Sequence, residues 1–372
     1  MRKLIDICDI QYGYAFDSAC FTEDDSYLPL VRIRDVKRGF SETFYSGEYP
    51  KEYVIHKGDL IVGMDGEFNI ARWKSIDALL NQRVCKLKAK EGTNEEYLRF
   101  ALVKALKTIE DKTAFVTVKH LSAKELNKLE LDMPGIEEQN VRAESMAKLE
   151  KVISHRKEEL SALDDLIKAR FVEMFGNLRM NTKGWSVKTF DKLSYLITDG
   201  EHSTPRRITQ GVYLLSARNI LNHSLQLEDV DYIDKEEYER IAKRVVPQEG
   251  DVLISCSGTV GRCCSVPAGV KFQMVRSVAL IRFKEEINHV FAEYMITSDY
   301  LQEQIKGSQT VSAQANLFQG KIKALKGFVP PIELQKQFAD FVNQVDKSKV
   351  AVQKALDETQ MLFDSLMQEY FN

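Results

Sequence analysis

The second half of the chain contains three loops whose side chains suit contact with nucleic acid. Residues 199–207 combine small polar side chains and a histidine with two arginines. Residues 255–262 follow a strand-like run and offer hydroxyls, glycines and an arginine, and residues 309–316 are rich in Gln, Ser and Asn. Arg, Gln and Asn can pair with base edges through two hydrogen bonds, whereas hydroxyls and glycine amides suit phosphates. These loops therefore indicate binding of nucleic acid.

The candidate contacts in this half are polar side chains of the three loops and of a short segment near residue 218. They are His202, Thr204, Arg206, Arg207, Arg218, Asn219, Ser257, Thr259, Arg262, Gln309, Ser312, Gln314 and Asn316. No single loop is strong evidence, because a polar loop with an arginine is usually an ordinary surface loop. His202 taken alone fits a turn or capping residue better than a catalytic base.

The first half of the chain has loops of the same types at matching places. Basic residues cluster around residue 34, a Gly-Met-Asp-Gly-Glu-Phe-Asn loop starts at Gly63, and a Thr-Val-Lys-His segment ends at His120. The candidate contacts here are Arg32, Arg34, Lys37, Arg38, Asn69, Arg72, Lys74, Lys119 and His120. The recurrence of the loop types in both halves carries more weight than any one of them.

Motifs for catalysis are missing from the sequence. There is no Gly-x-x-x-x-Gly-Lys-Ser/Thr phosphate loop, no Gly-x-Gly-x-x-Gly fingerprint and no Asn/Asp-Pro-Pro-aromatic motif of adenine methyltransferases. Asp59 and Glu67 could form the acidic pair of a metal-dependent nuclease, but no lysine lies two residues after Glu67. We therefore expect no catalytic residue, no metal site and no cofactor in this chain.

Length and composition are those of an ordinary soluble protein. The 372 residues suggest two or three domains, and 44% are hydrophobic and 29% charged. No run of about eighteen apolar residues and no signal-peptide core occurs, so we expect a cytoplasmic protein without a membrane segment. The net charge of −3 argues against a surface coated in positive charge, but a local basic cleft suffices to bind nucleic acid.

The six cysteines do not indicate a metal site. They include no Cys-x-x-Cys spacing, and the six histidines form no cluster in the sequence. We expect reduced thiols in the core or in loops. A zinc site made by Cys256, Cys263, Cys264 and a distant histidine is the alternative.

The elements that position the loops occur twice. Residues 133–139, Met-Pro-Gly-Ile-Glu-Glu-Gln, return as residues 329–335, Val-Pro-Pro-Ile-Glu-Leu-Gln, with Pro134 and Pro330 separated by 196 positions. The same offset relates leucines and phenylalanines before and after this motif over some fifty positions. The chain is therefore an internal duplication.

Each copy reads as a mixed α/β globule followed by a long helix. Strand-like runs at 27–33, 59–62 and 83–87 precede a helical segment at 95–109, and runs at 212–215, 251–254 and 277–281 precede one at 288–305. The offset drifts to 192 at Gly58-Asp59 and Gly250-Asp251. The copies therefore match in register in their helices and less closely in their globules.

The long helices are predicted at roughly 137–175 and 333–371. Apolar residues at steps of three and four give each helix a narrow stripe typical of a coiled coil. Antiparallel pairing would bury both stripes and relate the globules by a pseudo-two-fold axis. About 35 helical residues at about 1.5 Å each span roughly 50 Å, or roughly 15 base pairs. Two globules at that separation could read two half-sites on one duplex.

The predicted fold class is thus α+β, with two mixed α/β globules separated by two long helices that form an antiparallel coiled coil. The domain boundaries follow from the repeat. They are 1–133 for the first globule, 134–176 for the first helical region, 177–329 for the second globule and 330–372 for the second helical region.

The chain resembles a specificity subunit of a type I restriction–modification system over essentially its whole length. The resemblance rests on the duplicated plan together with several short motifs. These are Lys-Gly-Asp-Leu-Ile at 57–61, Glu-Gly-Asp-Val-Leu-Ile at 249–254, Ser-Gly-Thr-Val-Gly-Arg at 257–262, the Pro motif continuing to Gln337, and Phe-Gly-Asn at 175–177 leading to Lys-Gly-Trp at 183–185. The motifs are specific only when taken together.

The resemblance implies a non-catalytic subunit whose two globules are target-recognition domains. Each domain would read one half of a bipartite, asymmetric target in double-stranded DNA. It implies that the paired helices set the spacer and dock two adenine methyltransferase subunits, which would bind S-adenosylmethionine. Restriction subunits, which are motor nucleases, would join the complex. The helix residues assigned to docking are Leu149, Ile153, Leu160, Leu163, Ile167, Val345, Val352, Leu356, Phe363 and Leu366.

One departure from the family pattern lies in the first globule. Its loop reads Met-Asp-Gly-Glu-Phe-Asn at 64–69 instead of Ser-Gly-Thr-Val-Gly, and two acidic residues near phosphates would repel them unless they accept from cytosine amino groups or face away. The two domains are therefore expected to read different sequences. The competing hypotheses are a self-sufficient restriction or methylation enzyme and a coiled-coil adaptor with two protein-binding domains.

Overall fold

A computed structural model of the chain describes residues 1–112, 120–308 and 316–371. The chain forms two compact units, Met1–Glu158 with Gln353–Asn372 and Glu159–Val352. Both boundaries between the units fall within the two long helices. Each unit therefore contains one globule together with part of each long helix.

The described residues of the first globule form short strands and α-helices. Its strands are β1 (Arg2–Lys3), β2 (Cys8–Tyr12), β3 (Phe21–Thr22), β4 (Leu28–Val31), β5 (Phe44–Tyr45), β6 (Val54–Ile55), β7 (Leu60–Gly63), β8 (Ile70–Arg72), β9 (Ala78–Leu80), β10 (Val84–Ala89) and β11 (Glu130–Leu131). Its helices are α1 (Leu4–Ile7), α2 (Ile33–Arg38), α3 (Glu95–Lys112) and α4 (Ala123–Lys128), and the long helix α5 (Ile136–Phe175) follows.

The second globule repeats this plan. Its strands are β12 (Ser186–Thr189), β13 (Ser194–Asp199), β14 (Val212–Leu215), β15 (Ile220–Leu221), β16 (Ser224–Leu225), β17 (Asp231–Ile233), β18 (Val252–Ser255), β19 (Cys263–Ser265), β20 (Phe272–Met274), β21 (Val278–Phe283) and β22 (Lys326–Val329). Its helices are α6 (Phe190–Leu193), α7 (Lys235–Ala242), α8 (His289–Thr297), α9 (Asp299–Ser308) and α10 (Gln319–Ala324), and the long helix α11 (Ile332–Tyr370) follows.

The two globules share the strand order of their four-stranded sheets and two further strand pairings. An antiparallel sheet in the order β2-β10-β7-β8 corresponds to one in the order β13-β21-β18-β19. A parallel pair, β4 with β9, corresponds to β14 with β20. The first and last strands of each globule also pair, as β1 with β11 and β12 with β22. The predicted mixed α/β repeat is confirmed, although the sequence offset drifts between the copies.

The Gly-Asp motif before each central strand is a turn. Gly58 and Gly250 have φ values of +98° and +82°, a backbone region that glycine adopts without strain. The next residue closes the turn, because a carboxylate oxygen of Asp59 accepts from the His56 amide at 2.8 Å and one of Asp251 accepts from the Gln248 amide at 2.8 Å. The motif thus leads into strands β7 and β18, whose residues are all buried.

The glutamine of the repeated Pro motif fixes each long helix to its globule. Gln335 is fully buried, and its Oε1 accepts from the Asn288 amide at 2.9 Å while its Nε2 donates to the carbonyls of Glu286 and Pro330. Gln139 makes the same three contacts in the first unit, with the Asn94 amide and the carbonyls of Gly92 and Pro134.

The long helices pair antiparallel within each unit. In the first unit the start of α5 meets the end of α11, where Arg142 donates to the Tyr370 carbonyl at 2.7 Å. In the second unit the end of α5 meets the start of α11, and the rings of Phe171 and Phe338 lie 5.4 Å apart. The apolar stripes are buried together with side chains of the globule, so each unit has a core shared by globule and helices.

Candidate nucleic-acid interface

The predicted loop after each central strand is closed by hydrogen bonds within the loop. In the second globule Ser255 Oγ donates to the Thr259 carbonyl at 2.6 Å and accepts from the Arg262 amide at 3.0 Å. Gly258 and Gly261 have φ values of +69° and +91°, which explains the two glycines of Ser-Gly-Thr-Val-Gly-Arg. In the first globule the Gly63 amide donates to the Asn69 carbonyl at 2.8 Å and closes the corresponding loop.

Tertiary structure brings the end of the third predicted loop against this one in both globules. His120 forms an antiparallel bridge with Asp65, and Asn316 forms one with Ser257. The next residue continues the contact, because Leu121 donates to the Met64 carbonyl at 2.7 Å and Leu317 donates to the Cys256 carbonyl at 2.9 Å. Two loops that are far apart in the sequence thus form one edge of each globule.

A turn that sequence analysis did not single out joins the same edge. Residues 81–84 connect β9 to β10, and residues 275–278 connect β20 to β21. The Met64 amide donates to the Arg83 carbonyl at 2.9 Å, and the Cys256 amide donates to the Ser277 carbonyl at 2.8 Å. These turns expose Gln82, Arg83 and Arg276 beside the predicted contacts. The signal in the sequence was a polar pair at the start of each of the strand-like runs predicted at 83–87 and 277–281, namely Gln82-Arg83 and Arg276-Ser277.

The acidic residues of the first globule's loop are matched by cations. Asp65 is in contact with the His120 ring nitrogen Nδ1, and Arg83 Nη1 lies 2.9 Å from its second carboxylate oxygen. Glu67 is exposed and lies 3.9 Å from Lys37 Nζ. Internal pairing therefore offsets the repulsion that these carboxylates would exert on a nearby phosphate.

Several predicted contacts of the first globule are engaged within the protein. Arg72 is paired with Glu95 and Glu96 and donates to the Gly58 carbonyl. Burial opposes ionisation of Glu96, but the guanidinium groups of Arg99 and Arg72 outweigh it and lower the pKa of this carboxyl. Arg32 donates to Thr43 Oγ1 at 2.7 Å.

The other basic residues predicted as contacts in the first globule lie on the surface. Arg34 and Arg38 lie within 4 Å of Asp35, and Arg38 also pairs with Glu42 at 2.9 Å. Lys74 is exposed, and its methylenes pack against Gly39. These cations are accessible, but most of them have carboxylates as neighbours.

Ion pairs also engage the arginines predicted in the loop after β13 and in the short segment near residue 218. Arg206 pairs with Asp234, Arg207 lies 2.9 Å from Asp231, and Arg218 lies 3.2 Å from the same carboxylate group. The amide of Glu237 and the guanidinium of Arg206 lower the pKa of Asp234, so this carboxyl stays charged. Contact with DNA would have to compete with these pairs.

The structure removes Asn219 from the predicted contacts. It is fully buried. Its Oδ1 accepts from the Ser216 amide, and its Nδ2 donates to the carbonyls of Gln226 and Asp229. No polar atom of its amide is left for a base edge. His202 is exposed with Nε2 2.8 Å from Asp199, and Thr204 is exposed.

Two arginines of the second globule differ from the rest. Within its described residues, Arg262 and Arg276 are the arginines without a carboxylate in ion-pair distance. Both lie on the edge that carries Ser257 and Asn316. The positive charge of that edge is therefore not neutralised by the protein. Lys119, Gln309, Ser312 and Gln314, which were also predicted as contacts, lie outside the described residues.

The helix residues assigned to docking are all buried or half-buried, and five of them, Leu163, Ile167, Val345, Phe363 and Leu366, belong to the cores or pack against them. Ile153, Ile167, Val345, Val352 and Leu356 are buried, and Leu149, Leu160, Leu163, Phe363 and Leu366 are half-buried. Other apolar residues face outward instead. They are Val141, Val152, Leu166 and Val172 on α5 and Val350, Met361 and Leu362 on α11.

The cysteines behave as core residues. Cys256, Cys263 and Cys264 are buried, and desolvation raises the pKa of each thiol, to about 12 for Cys256. Over the described ranges no group of three or more His, Cys, Asp or Glu side chains is arranged to hold a metal ion. Asp59, one member of the imagined nuclease pair, lies 2.7 Å from Lys86 Nζ and closes the turn before β7.

Comparison with known proteins gives consistent results. The family model described as the type I restriction modification DNA specificity domain matches residues 1–163 and 208–359. The chain is 30% identical over 398 aligned residues to the type I restriction enzyme EcoBI specificity subunit of Escherichia coli, and the match covers 98% of this chain and 84% of that one.

Two solved structures have a similar fold. The crystal structure of the type I restriction–modification S subunit from M. genitalium is 14% identical with a TM-score of 0.62, and the match covers 100% of this chain and 95% of that one. A chain from a structure that describes complex assembly and conformational transition of the type I restriction–modification system is 16% identical with a TM-score of 0.54, covering 100% and 97%.

No helix within the described ranges is both long and apolar enough to cross a membrane. The family match includes most of both globules and parts of both long helices, where the duplicated loops, turns and glutamine contacts lie. The chain therefore belongs to the type I restriction modification DNA specificity domain family and is a non-catalytic specificity subunit.

Proposed function

We propose that this chain reads a bipartite, asymmetric target in double-stranded DNA, with one half-site read by each globule. The observation that supports this most is the duplicated edge. The same backbone hydrogen bonds hold Asp65, Arg83 and His120 in the first globule and Ser257, Ser277 and Asn316 in the second. Because the two edges share a backbone arrangement but carry different hydrogen-bond donors and acceptors, they would select different bases.

The free arginines of the second edge also favour this reading. Among the described residues, no carboxylate lies within ion-pair distance of Arg262 or Arg276, and a DNA duplex supplies phosphates and guanine edges that could pair with them. Family membership as a DNA specificity subunit agrees with it. The adaptor hypothesis does not explain why the same edge recurs with exposed base-pairing side chains.

In the proposed complex, two adenine methyltransferase subunits dock on the paired helices, and restriction subunits join them. Those methyltransferase subunits would bind S-adenosylmethionine, and the complex would act on DNA in the cytoplasm. The outward-facing apolar residues of the helices fit this role better than the buried seam, since the seam is already packed. Exposed Met361 and Leu362 in the first unit form one such surface.

The target is tested by methylome sequencing of cells that carry this chain with its methylating partner subunit. The expected result is one methylated motif with two unlike half-sites and a fixed spacer. Cells with the partner subunit alone are the control and should lack the motif. A methylated motif that is continuous or palindromic would contradict the proposal.

Docking is tested by co-purification of the partner subunit with Met361→Glu and Leu362→Glu variants. A charge in a buried interface is costly, so recovery of the partner should fall by about tenfold or more. Lys354→Glu, at an exposed position of the same helix, is the matched control. Undiminished recovery of the partner subunit with both variants would show that Met361 and Leu362 are not part of the docking surface.

A further inference from the structure

We propose that the turns at residues 81–84 and 275–278 carry specificity-determining side chains: Gln82 and Arg83 in the first globule and Arg276 in the second. The inference rests on the proposed DNA-reading function and names residues within it. The two turns have the same pattern of backbone hydrogen bonds, although their sequences are largely different.

Each turn is closed and anchored in the same way. The Val84 amide donates to the Asn81 carbonyl at 2.9 Å, and the Val278 amide donates to the Val275 carbonyl at 3.0 Å. A glycine from a neighbouring strand end then packs on the turn, since Gly13 donates to the Val84 carbonyl and Gly200 donates to the Val278 carbonyl. The turn is therefore a fixed part of the sheet.

The glycines permit this close approach. A Cβ atom on Gly13 would lie 2.0 Å from the Asn81 carbonyl oxygen, and one on Gly200 would lie 2.3 Å from the Met274 carbonyl oxygen. No larger residue could stand there without moving the backbone. The side chains at the tip of each turn are thus presented from a rigid frame, which is the condition for selective hydrogen bonding to a base edge.

The tip residues are of the types that read bases. Gln82 and Arg276 are exposed, and neither side chain has a hydrogen-bond or ion-pair partner among the described residues. Glutamine matches the adenine edge and arginine the guanine edge in the major groove, each through two hydrogen bonds. An unpartnered, exposed arginine on a rigid turn loses little on binding, because no internal ion pair has to break.

Arg83 is positioned differently from Arg276. One of its terminal nitrogens lies 2.9 Å from Asp65, and about half of the side chain is exposed. A guanidinium held by a carboxylate on one edge can donate from its other edge, since arginine has five N–H donors. Asp65 is therefore a positioning residue for Arg83. Its negative charge holds the guanidinium in place on this edge.

The test uses the complex of this chain with its methylating partner and two libraries of DNA duplexes that contain the target, one with each half-site randomised. Bound sequences are selected and read out for wild type, Arg276→Ala, Arg276→Lys, Gln82→Ala and Arg83→Ala. Arg276→Ala should relax preference by about tenfold at one or two positions of one half-site, leaving the other half-site unchanged. Gln82→Ala should affect the opposite half-site.

Arg276→Lys separates reading of a base from attraction to phosphate. Lysine keeps the charge but loses the planar fork, so overall affinity should be retained while preference at the affected positions relaxes. Lys271→Ala is the matched control, because Lys271 is an exposed cation at the other end of β20. It should leave both half-sites unchanged.

Asp65→Asn tests the positioning role. It should relax the base position that Arg83→Ala relaxes, to a smaller extent. Unchanged preferences in Arg276→Ala and Gln82→Ala would overturn the inference, as would a uniform loss of affinity for all sequences. If the wild-type complex itself selects no sequence, the proposed function fails instead, so the two failures are distinguishable.

Discussion

Gln335 illustrates how one buried side chain determines where a long helix begins. Its amide group, fully buried, satisfies one backbone N–H and two backbone carbonyls. Because Gln139 has the same partners in the other copy, the repeated motif records a structural requirement and not a binding site. A residue with the same volume but no polar atoms would leave these backbone groups unpaired.

We therefore predict that Gln335→Leu lowers the free energy of unfolding by about 2–4 kcal/mol, since each unsatisfied buried group costs about 1–3 kcal/mol. Chemical denaturation of the full chain measures this. Gln337→Leu, at an exposed position two residues later, is the control and should change stability by less than about 0.5 kcal/mol. Equal effects of the two substitutions would contradict the assigned role of Gln335.

A second residue-scale prediction concerns the thiols. Five of the six cysteines are buried, and burial raises the pKa of Cys8, Cys85 and Cys256 to about 12. Alkylation under native conditions at pH 8 should therefore modify Cys20 alone, and all six cysteines after denaturation, as measured by mass spectrometry. Rapid native labelling of Cys85 would show that the first core opens more easily than its packing implies.

The same thiols give an alkaline limit to stability. Below about pH 9 they are protonated in both the folded and the unfolded chain and contribute no pH dependence. Between about pH 9 and pH 12 the unfolded chain releases protons that the folded chain retains, so stability falls as pH rises. Denaturation at pH 8 and pH 10 measures the decline.

At the scale of the element, the contact between a strand end and the next turn decides the shape of the recognition edge. Gly200 follows β13 and approaches the backbone of the 275–278 turn so closely that any Cβ atom would collide with it. Polar residues on that turn reach the edge only while this approach is kept. The element, and not the individual polar residue, is therefore what the two globules have in common.

We predict that Gly200→Ala weakens recognition of one half-site by about tenfold or more and destabilises its globule by about 1–3 kcal/mol, because the turn must shift. Selection from a DNA library and thermal unfolding measure the two effects. The control is Gly320→Ala within α10, where an added Cβ meets no atom within 4 Å and should be neutral or slightly stabilising. A Gly200→Ala chain with unchanged half-sites would contradict the role given to this contact.

At the scale of the whole molecule, each compact unit contains one globule and segments of both long helices. The helices are therefore part of both cores. This organisation explains why the copies match best in the helical regions: helix residues must satisfy the partner helix and the globule together. Residues at the globule edges do not have to pack against two partners, so their sequences can differ between the copies.

Lengthening both helices should change only the spacer of the proposed target. We predict that inserting seven residues after Glu158 and seven after Val352 adds about two turns to each helix, or about 10 Å, and lengthens the spacer by about three base pairs. Methylome sequencing measures the new motif. Insertion into one helix alone breaks the register of the pair and should abolish methylation. Altered half-site sequences in the double insertion would contradict the proposal.

The sequence by itself determined the repeat, the central strands, the long helices and the presence of three polar loops per globule, because these depend on local periodicity and on glycine or proline at fixed places. It did not determine which polar residues have partners within the protein. Arg206 and Arg207 looked equivalent to Arg262, but carboxylates 24 to 28 residues away engage the first two.

Only the tertiary structure decided this, and only it brought Gln82, Arg83 and Arg276 to the edge and buried Asn219. The physical reason is that ion pairs, close backbone approaches and burial join residues distant in the chain. Local patterns of residue type do not record such contacts.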